Sequence, residues 1–185
     1  DYFFNTKATS AISALAIGAV PIDRTKVSRQ SGDMISELIE EGWSLLIYPE
    51  GGRSPDGWGQ PFRGGAAYLA IRCDVPVIPI HISGTAKILR KGRNLPRRSK
   101  STVTFGYPMK PESDESARSF SARIEKEVRS LADETASSWW DARQRSYRNS
   151  SPSLTGPEIG AWRRSWALSD NDGKTRKRRR RWPAI

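Results

Sequence analysis

Residues Trp43–Tyr48 read Trp-Ser-Leu-Leu-Ile-Tyr, and Pro49 stops them. A nearly continuous apolar run of strand length predicts a strand in a sheet covered on both faces. Its tip carries Glu50, Gly51, Gly52, Arg53 and Ser54 in succession. A carboxylate, two glycines, a guanidinium and a hydroxyl form either a solvated turn or an anion site with a carboxylate beside it. The surrounding pattern has to choose between them.

Helical and strand periods alternate around this segment. Ala8–Ile17 predicts a short helix with Ala8, Ile12 and Leu15 on one side, and Gly18 near its end. Ser31–Glu41 predicts a helix with the stripe Met34, Ile35, Leu38 and Ile39, stopped by Gly42. Gly51–Gly59 reads as loop, and Gly64–Arg72 as a small-faced helix. Val75–Ile82 predicts a second buried strand, whose Pro76 and Pro79 suggest an edge or a strand end. Thr102–Phe105 predicts a third strand. Ser116–Asp133 predicts a long helix with Phe120, Ile124, Val128 and Leu131 on one face. This alternation argues for an α/β domain over residues 1–133. Beyond it the composition shifts to Trp, Arg and Ser, with Trp139, Trp140, Trp162, Trp166 and Trp182 all in the last 47 residues. A helical extension is expected over 134–173, including a helix at Pro157–Leu168, and a basic disordered tail over 174–185.

The formal charge of +11 is unevenly placed. Lys87–Lys100 and Lys174–Arg181 each hold seven basic residues and no acidic one, so the remainder is slightly negative. Patches of this kind attract phosphate-rich surfaces, either nucleic acid or an anionic membrane face. A single cysteine, Cys73, excludes a disulfide framework and a cysteine-rich metal site within the chain. The longest apolar stretch, Ala11–Ile22, is shorter than the roughly 20 residues a bilayer span needs. A chain that starts at Asp1, without Met or signal peptide, is expected to be a fragment of a longer protein.

Four pieces stand in order: Gly18–Arg24 (GAVPIDR), Tyr48–Ser54 (YPEGGRS), Pro61–Ala70 (PFRGGAAYLA) and Val75–Gly84 (VPVIPIHISG). Over roughly residues 1–110 this series resembles the glycerolipid acyltransferases that acylate lysophosphatidic acid. That family has an Arg after an apolar stretch, a Phe-Pro-Glu-Gly-Thr-Arg-Ser motif, a Phe-Lys-x-Gly segment and a Val-Pro-x-x-Pro-Val strand. Gly52 stands where Thr is usual, and Arg63 where Lys is usual. The resemblance implies an acyltransferase-like sheet flanked by helices, followed by the Trp- and Arg-rich extension. It also implies transfer of a fatty acyl group from acyl-CoA or acyl carrier protein to 1-acyl-glycerol-3-phosphate, giving phosphatidic acid. No metal and no cofactor beyond the thioester donor is implied. The expected place is the cytoplasmic side of the membrane, as a peripheral protein on an anionic surface.

The implied glycerol-phosphate site is Arg24, Glu50, Gly51, Gly52, Arg53 and Ser54. The chemistry is coherent. Arg24 and Arg53 can fork onto phosphate oxygens, the glycines let backbone N–H groups approach an anion, and an ionised Glu50 accepts from a glycerol hydroxyl. In the family a His with an Asp five positions later supplies the general base and its orienting partner. The chain has one histidine, His81, with Ala86 five positions on. His81 falls in a predicted strand and is expected to be structural, so no catalytic residue is assigned here and the His-x-x-x-x-Asp motif is expected upstream of Asp1. Two other classes remain open. One is a basic module that holds nucleic acid through Lys174–Arg181, a reading in which the YPEGGRS and VPVIPI pieces have no purpose and which is therefore disfavoured. The other is an inactive, truncated pseudo-enzyme. Lys87–Lys100 could serve lipid headgroups or the phosphates of coenzyme A, and Trp162 and Trp166 could pack on the domain or sit at a membrane interface.

Overall fold

A computed structural model describes residue 18 and residues 29–52, 58–89 and 95–156. The helices expected at 8–17 and 157–168, the tail, and Arg24, Arg53, Ser54, Trp162, Trp166 and Trp182 lie outside the described residues. The chain divides into two compact units, Asp1–Ile47 and Tyr48–Ile185.

In the first unit, α1 spans Arg29–Glu40. Ile35 is buried, while Met34, Leu38 and Ile39 are half-buried, so the expected stripe is present. The helix stops at Gly42, whose φ of 91° is open to a residue without Cβ. Gly42 N–H donates to Ile39 O and Trp43 N–H to Leu38 O, both at 3.0 Å, which is the Schellman closure. The buried strand expected at Trp43–Tyr48 is not formed: these residues pair with no strand, and Trp43, Leu46 and Tyr48 are about two-thirds exposed. An apolar run expresses a need for burial. It becomes a strand only when a neighbour accepts its hydrogen bonds, and the described sheet has just two strands, which pair with each other.

The second unit orders α2 (Gly65–Cys73), β1 (Ile80–Ser83), the single turn α3 (Thr85–Ile88), β2 (Thr102–Phe105), α4 (Ala117–Ala136) and α5 (Trp139–Tyr147). β1 and β2 are antiparallel, with Ile80 opposite Phe105 and Ser83 opposite Thr102. The strand expected at Val75–Ile82 is shortened at its start, because Pro76 and Pro79 have no N–H to donate. The pairing continues past Pro79 through a bulge. Val77 and Met109 exchange reciprocal 2.8 Å bonds, so Gly106–Pro108 oppose only Ile78 and Pro79. The extra residue turns Met109 back to the side where Val77 already points, and both pack on the core. Nor is this sheet covered on both faces. His81 and Thr104 face α4 through Thr135, whereas Ile82, Val103 and Phe105, on the alternate face, are exposed.

The core sits between α2 and α4. Ala67 and Ala70 of α2 meet Phe120, Ile124 and Val128 of α4, with Phe62, Val77, Met109 and Leu154 packed around them. Small residues on α2 let the two helices approach closely. The α4 stripe expected from sequence is buried throughout, down to Leu131. Ser116 caps α4 by accepting from Ser119 N–H at 3.1 Å. α5 is fastened to α4 by a forked pair: Arg145 Nε and Nη2 donate to Asp133 Oδ2 and Oδ1 at 2.7 and 2.9 Å. The hydrogen bond to Asp133 raises the Arg145 pKa above its ordinary value.

Candidate acceptor-binding site

Pro49 ends the apolar run, and a tight turn follows. Gly51 N–H donates to Tyr48 O at 3.0 Å, and Gly51 takes φ 72°. That backbone region favours glycine, and a second reason for glycine is spatial. A Cβ at position 51 would lie 2.9 Å from Nε of Arg63 and 3.2 Å from its Cδ and Cζ. The Arg63 side chain therefore lies flat against the turn. Its backbone is fixed there as well, since Arg63 N–H donates to Pro49 O at 2.9 Å. Glu50 is half-buried, and its Oε2 accepts from Gln60 N–H at 2.7 Å. Among the described residues its other oxygen has no hydrogen-bond partner.

The segment bearing Gln60 and Arg63 is held from two directions. Phe62 packs on the core, and its N–H points to Glu125 Oε2 of α4 at 3.4 Å. Gly59 N–H donates to Leu154 O at 2.8 Å, and Leu154 itself packs on the core. Gly156 lies against the indole of Trp58, so closely that a Cβ there would be 2.8 Å from Cδ2. Two pieces far apart in function-neutral terms, residues 48–52 and 58–63, are thus one structural unit supported by α4 and by residues 154–156.

Of the residues expected at the site, Glu50, Gly51 and Gly52 are described and contiguous, with Gly52 exposed to open space. Arg24, Arg53 and Ser54 lie outside the described residues. Arg63 was not among the expected binders, yet it is the cation lying on the glycine turn. Its signal was present in the Pro61–Ala70 piece, at the place where the related enzymes carry Lys. His81 is a β1 residue, as expected. Its Nδ1 is 3.5 Å from Thr135 Oγ1, and burial pushes its pKa below the ordinary 6.5. Among the described residues no group of three His, Cys, Asp or Glu could hold a metal ion, and no helix is long and apolar enough to cross a membrane.

A carboxylate and a guanidinium carried on one turn suit a ligand that offers both an anion and a hydroxyl. A guanidinium donates in a fork to oxyanions, and a carboxylate takes a hydroxyl proton as acceptor while repelling phosphate. Residues 1–83 match the Acyltransferase family model. The chain is 40% identical over 79 residues to a chloroplastic 1-acyl-sn-glycerol-3-phosphate acyltransferase of Brassica napus, covering 41% of this chain and 23% of that protein. It is 33% identical over 82 residues to the alpha 1-acyl-sn-glycerol-3-phosphate acyltransferase of Homo sapiens, covering 40% and 28%. The crystal structure of the 1-acyl-sn-glycerophosphate acyltransferase PlsC from Thermotoga maritima superposes with a TM-score of 0.54 at 27% identity, over 60% of this chain and 46% of that one. The chain spans between about a fifth and a third of the length of the curated relatives it matches. The stretch matched by the family model includes the Glu50–Gly52 turn, and over 60% of its length the chain has an α/β fold similar to that of this acyltransferase.

Proposed function

We propose that the protein acylates the free hydroxyl of 1-acyl-glycerol-3-phosphate from an acyl-CoA or acyl carrier protein thioester, giving phosphatidic acid. One observation carries the reading: Glu50 and Arg63 are fixed on the same Gly51 turn, one by Gln60 N–H and the other by Pro49 O. In this reading Arg63 joins Arg53 on the acceptor phosphate. Gly51 and Gly52 let the backbone approach, and Glu50 orients the glycerol with its unanchored oxygen. Ser54 adds a hydroxyl donor at the phosphate. The acyl group arrives already activated as a thioester, so no further cofactor is invoked and no metal is needed. The hydroxyl attacks the thioester carbonyl, the C–S bond breaks as the ester C–O bond forms, and the thiol leaves with the proton lost by the hydroxyl.

The base that removes this proton is not assigned to these residues. No His-x-x-x-x-Asp occurs in the sequence, and Ala86 stands five positions after His81. We place the protein peripherally, at the cytoplasmic face of a membrane. Calorimetric titration with short-chain lysophosphatidate tests the site. The unmodified chain should bind, and Arg53→Lys, which keeps charge but loses the planar fork, should weaken binding by about one to two decades. Equal binding of a neutral monoacylglycerol would sink the site. Acyl transfer from acyl-CoA to lysophosphatidate is assayed in parallel. Robust turnover that His81→Asn abolishes would make His81 the base.

A further inference from the structure

The β1–β2 connection is the part of the second unit that the proposed acceptor site leaves unused. It leaves β1 at Gly84 and re-enters β2 after Lys100. Gly84 has φ 85°, and a Cβ there would lie 2.6 Å from Lys100 O, so the two ends are pinched together. Arg97 N–H closes a second rung on Ile88 O at 2.7 Å. The two ends of the connection are therefore held close together. Lys87, Arg97, Arg98 and Lys100 are all exposed, and among the described residues none has a carboxylate partner. Arg90, Lys91 and Arg93 belong to the same acid-free run in the sequence. Apolar side chains stand among these cations. Leu95 is 81% exposed and Leu89 40%. The same apolar character continues onto the sheet face turned away from α4. There Ile82 pairs with Val103, Phe105 is 66% exposed, and Tyr107, placed outward by the bulge, is 80% exposed.

We propose that the two described ends of this connection, Lys87–Leu89 and Leu95–Lys100, with the adjoining outer sheet face, dock the protein on an anionic bilayer, with Leu89 and Leu95 entering the interface between headgroup-bound cations. Charge complementarity selects an anionic partner, since Lys87, Arg97, Arg98 and Lys100 meet no acid among the described residues and the whole run holds none in sequence. The apolar side chains select a bilayer over a soluble polyanion, because a lipid interface is the anionic surface that also takes up exposed leucine and phenylalanine. A second copy of the chain is disfavoured by repulsion between like-charged runs. Preference for lipid over nucleic acid rests on the proposed function, in which the acceptor is drawn from a membrane.

The test is co-sedimentation of the full chain with phosphatidylglycerol-containing vesicles and with pure phosphatidylcholine vesicles, at low and high salt. Neither vesicle contains lysophosphatidate, so failure here is separable from failure of the acceptor site, which the lysophosphatidate titration reads alone. Each cation near an anionic surface strengthens partitioning about fivefold. The triple change Arg97→Gln, Arg98→Gln, Lys100→Gln should therefore weaken binding to anionic vesicles about a hundredfold at low salt and little at high salt. Leu89→Ser with Leu95→Ser should weaken it by roughly tenfold at both salts, because burial of apolar surface is not screened. Unchanged melting of both variants establishes that they fold. Unaltered vesicle binding in either variant overturns the proposal. So does loss of binding in the charge variant alone with competition by free coenzyme A, which would make the run a soluble-phosphate site. Tighter binding to single-stranded nucleic acid than to vesicles, lost in the charge variant, would assign the surface to nucleic acid instead.

Discussion

Gly51 is required twice over, by its positive φ and by the Arg63 side chain against it. This pairing locates the cation that the sequence did not single out. Arg63 sits twelve positions from Gly51, and nothing in local periodicity says that a guanidinium folds back onto a turn that far away. The expected site was legible as residue types, and in the structure Glu50 is oriented by a bond from Gln60 N–H that no motif suggests. Arg63→Gln keeps size and polarity but removes charge. It should lower lysophosphatidate affinity by about one to two decades, as expected for loss of a charged hydrogen bond, with melting unchanged. A titration against lysophosphatidate and a neutral monoacylglycerol checks this, because only the phosphate-bearing ligand should respond. His81 yields a different residue-scale prediction. Burial lowers its folded pKa, so the folded state favours the neutral ring. Above the ordinary pKa of 6.5 both folded and unfolded forms are neutral, and the full stability is present. As pH falls below 6.5 the unfolded chain takes up the proton first, and stability declines until the folded pKa is passed, where the loss levels off. His81→Gln should flatten the acid limb of melting temperature against pH over that window. An unchanged acid limb would mean that other groups govern it.

Elements were legible in proportion to how locally they are specified. α4 was read to within a few residues because both its signals are internal: a Ser cap and a stripe at helical spacing. Ser116→Ala should cost about 1 kcal/mol. Phe120→Ala should cost about 3–5 kcal/mol, since the ring is wholly buried at the junction with α2. Denaturant midpoints rank the two, and a cap that costs more than the core ring would invert this account of α4. β2 was also read to the residue. Trp43–Tyr48 was misread because a strand is not a local object. Its apolar sequence was correct as a measure of hydrophobicity, but its hydrogen bonds depend on a neighbour that the run itself cannot specify. Val75–Ile82 was half legible for the opposite reason. Its two prolines remove the N–H donors of Pro76 and Pro79, which interrupts the ladder before Ile80, and the bulge through which pairing resumes at Val77 depends on Gly106–Pro108 of the distant partner.

At the scale of the molecule, the expected boundary at residue 133 drew attention away from how the later residues serve the earlier ones. α5 is forked onto α4 through Asp133, whose side chain is 5% exposed, and residues 154–156 clamp the loop that bears Gln60 and Arg63. Neither contact has a sequence signature, because Leu154 and Gly156 are unremarkable in a Ser- and Pro-containing stretch. A pair of truncations separates packing from charge. Removing residues 174–185 takes away seven cations and no acid, lowering the formal charge from +11 to +4. Binding to nucleic acid should therefore fall steeply in a salt-sensitive way. Removing residues 151–185 also removes Leu154 from the core and leaves Gly59 N–H without Leu154 O. It should destabilise the fold by about 2–5 kcal/mol, from the lost apolar packing together with one hydrogen bond. It should also loosen the Glu50 turn, so lysophosphatidate affinity should drop even at temperatures where the shortened chain remains folded. Thermal melts and ligand titrations on both truncated forms read these effects separately. If the longer truncation melts and binds like the shorter one, residues 151–156 are a passive covering and the Glu50–Arg63 turn is held by α4 alone.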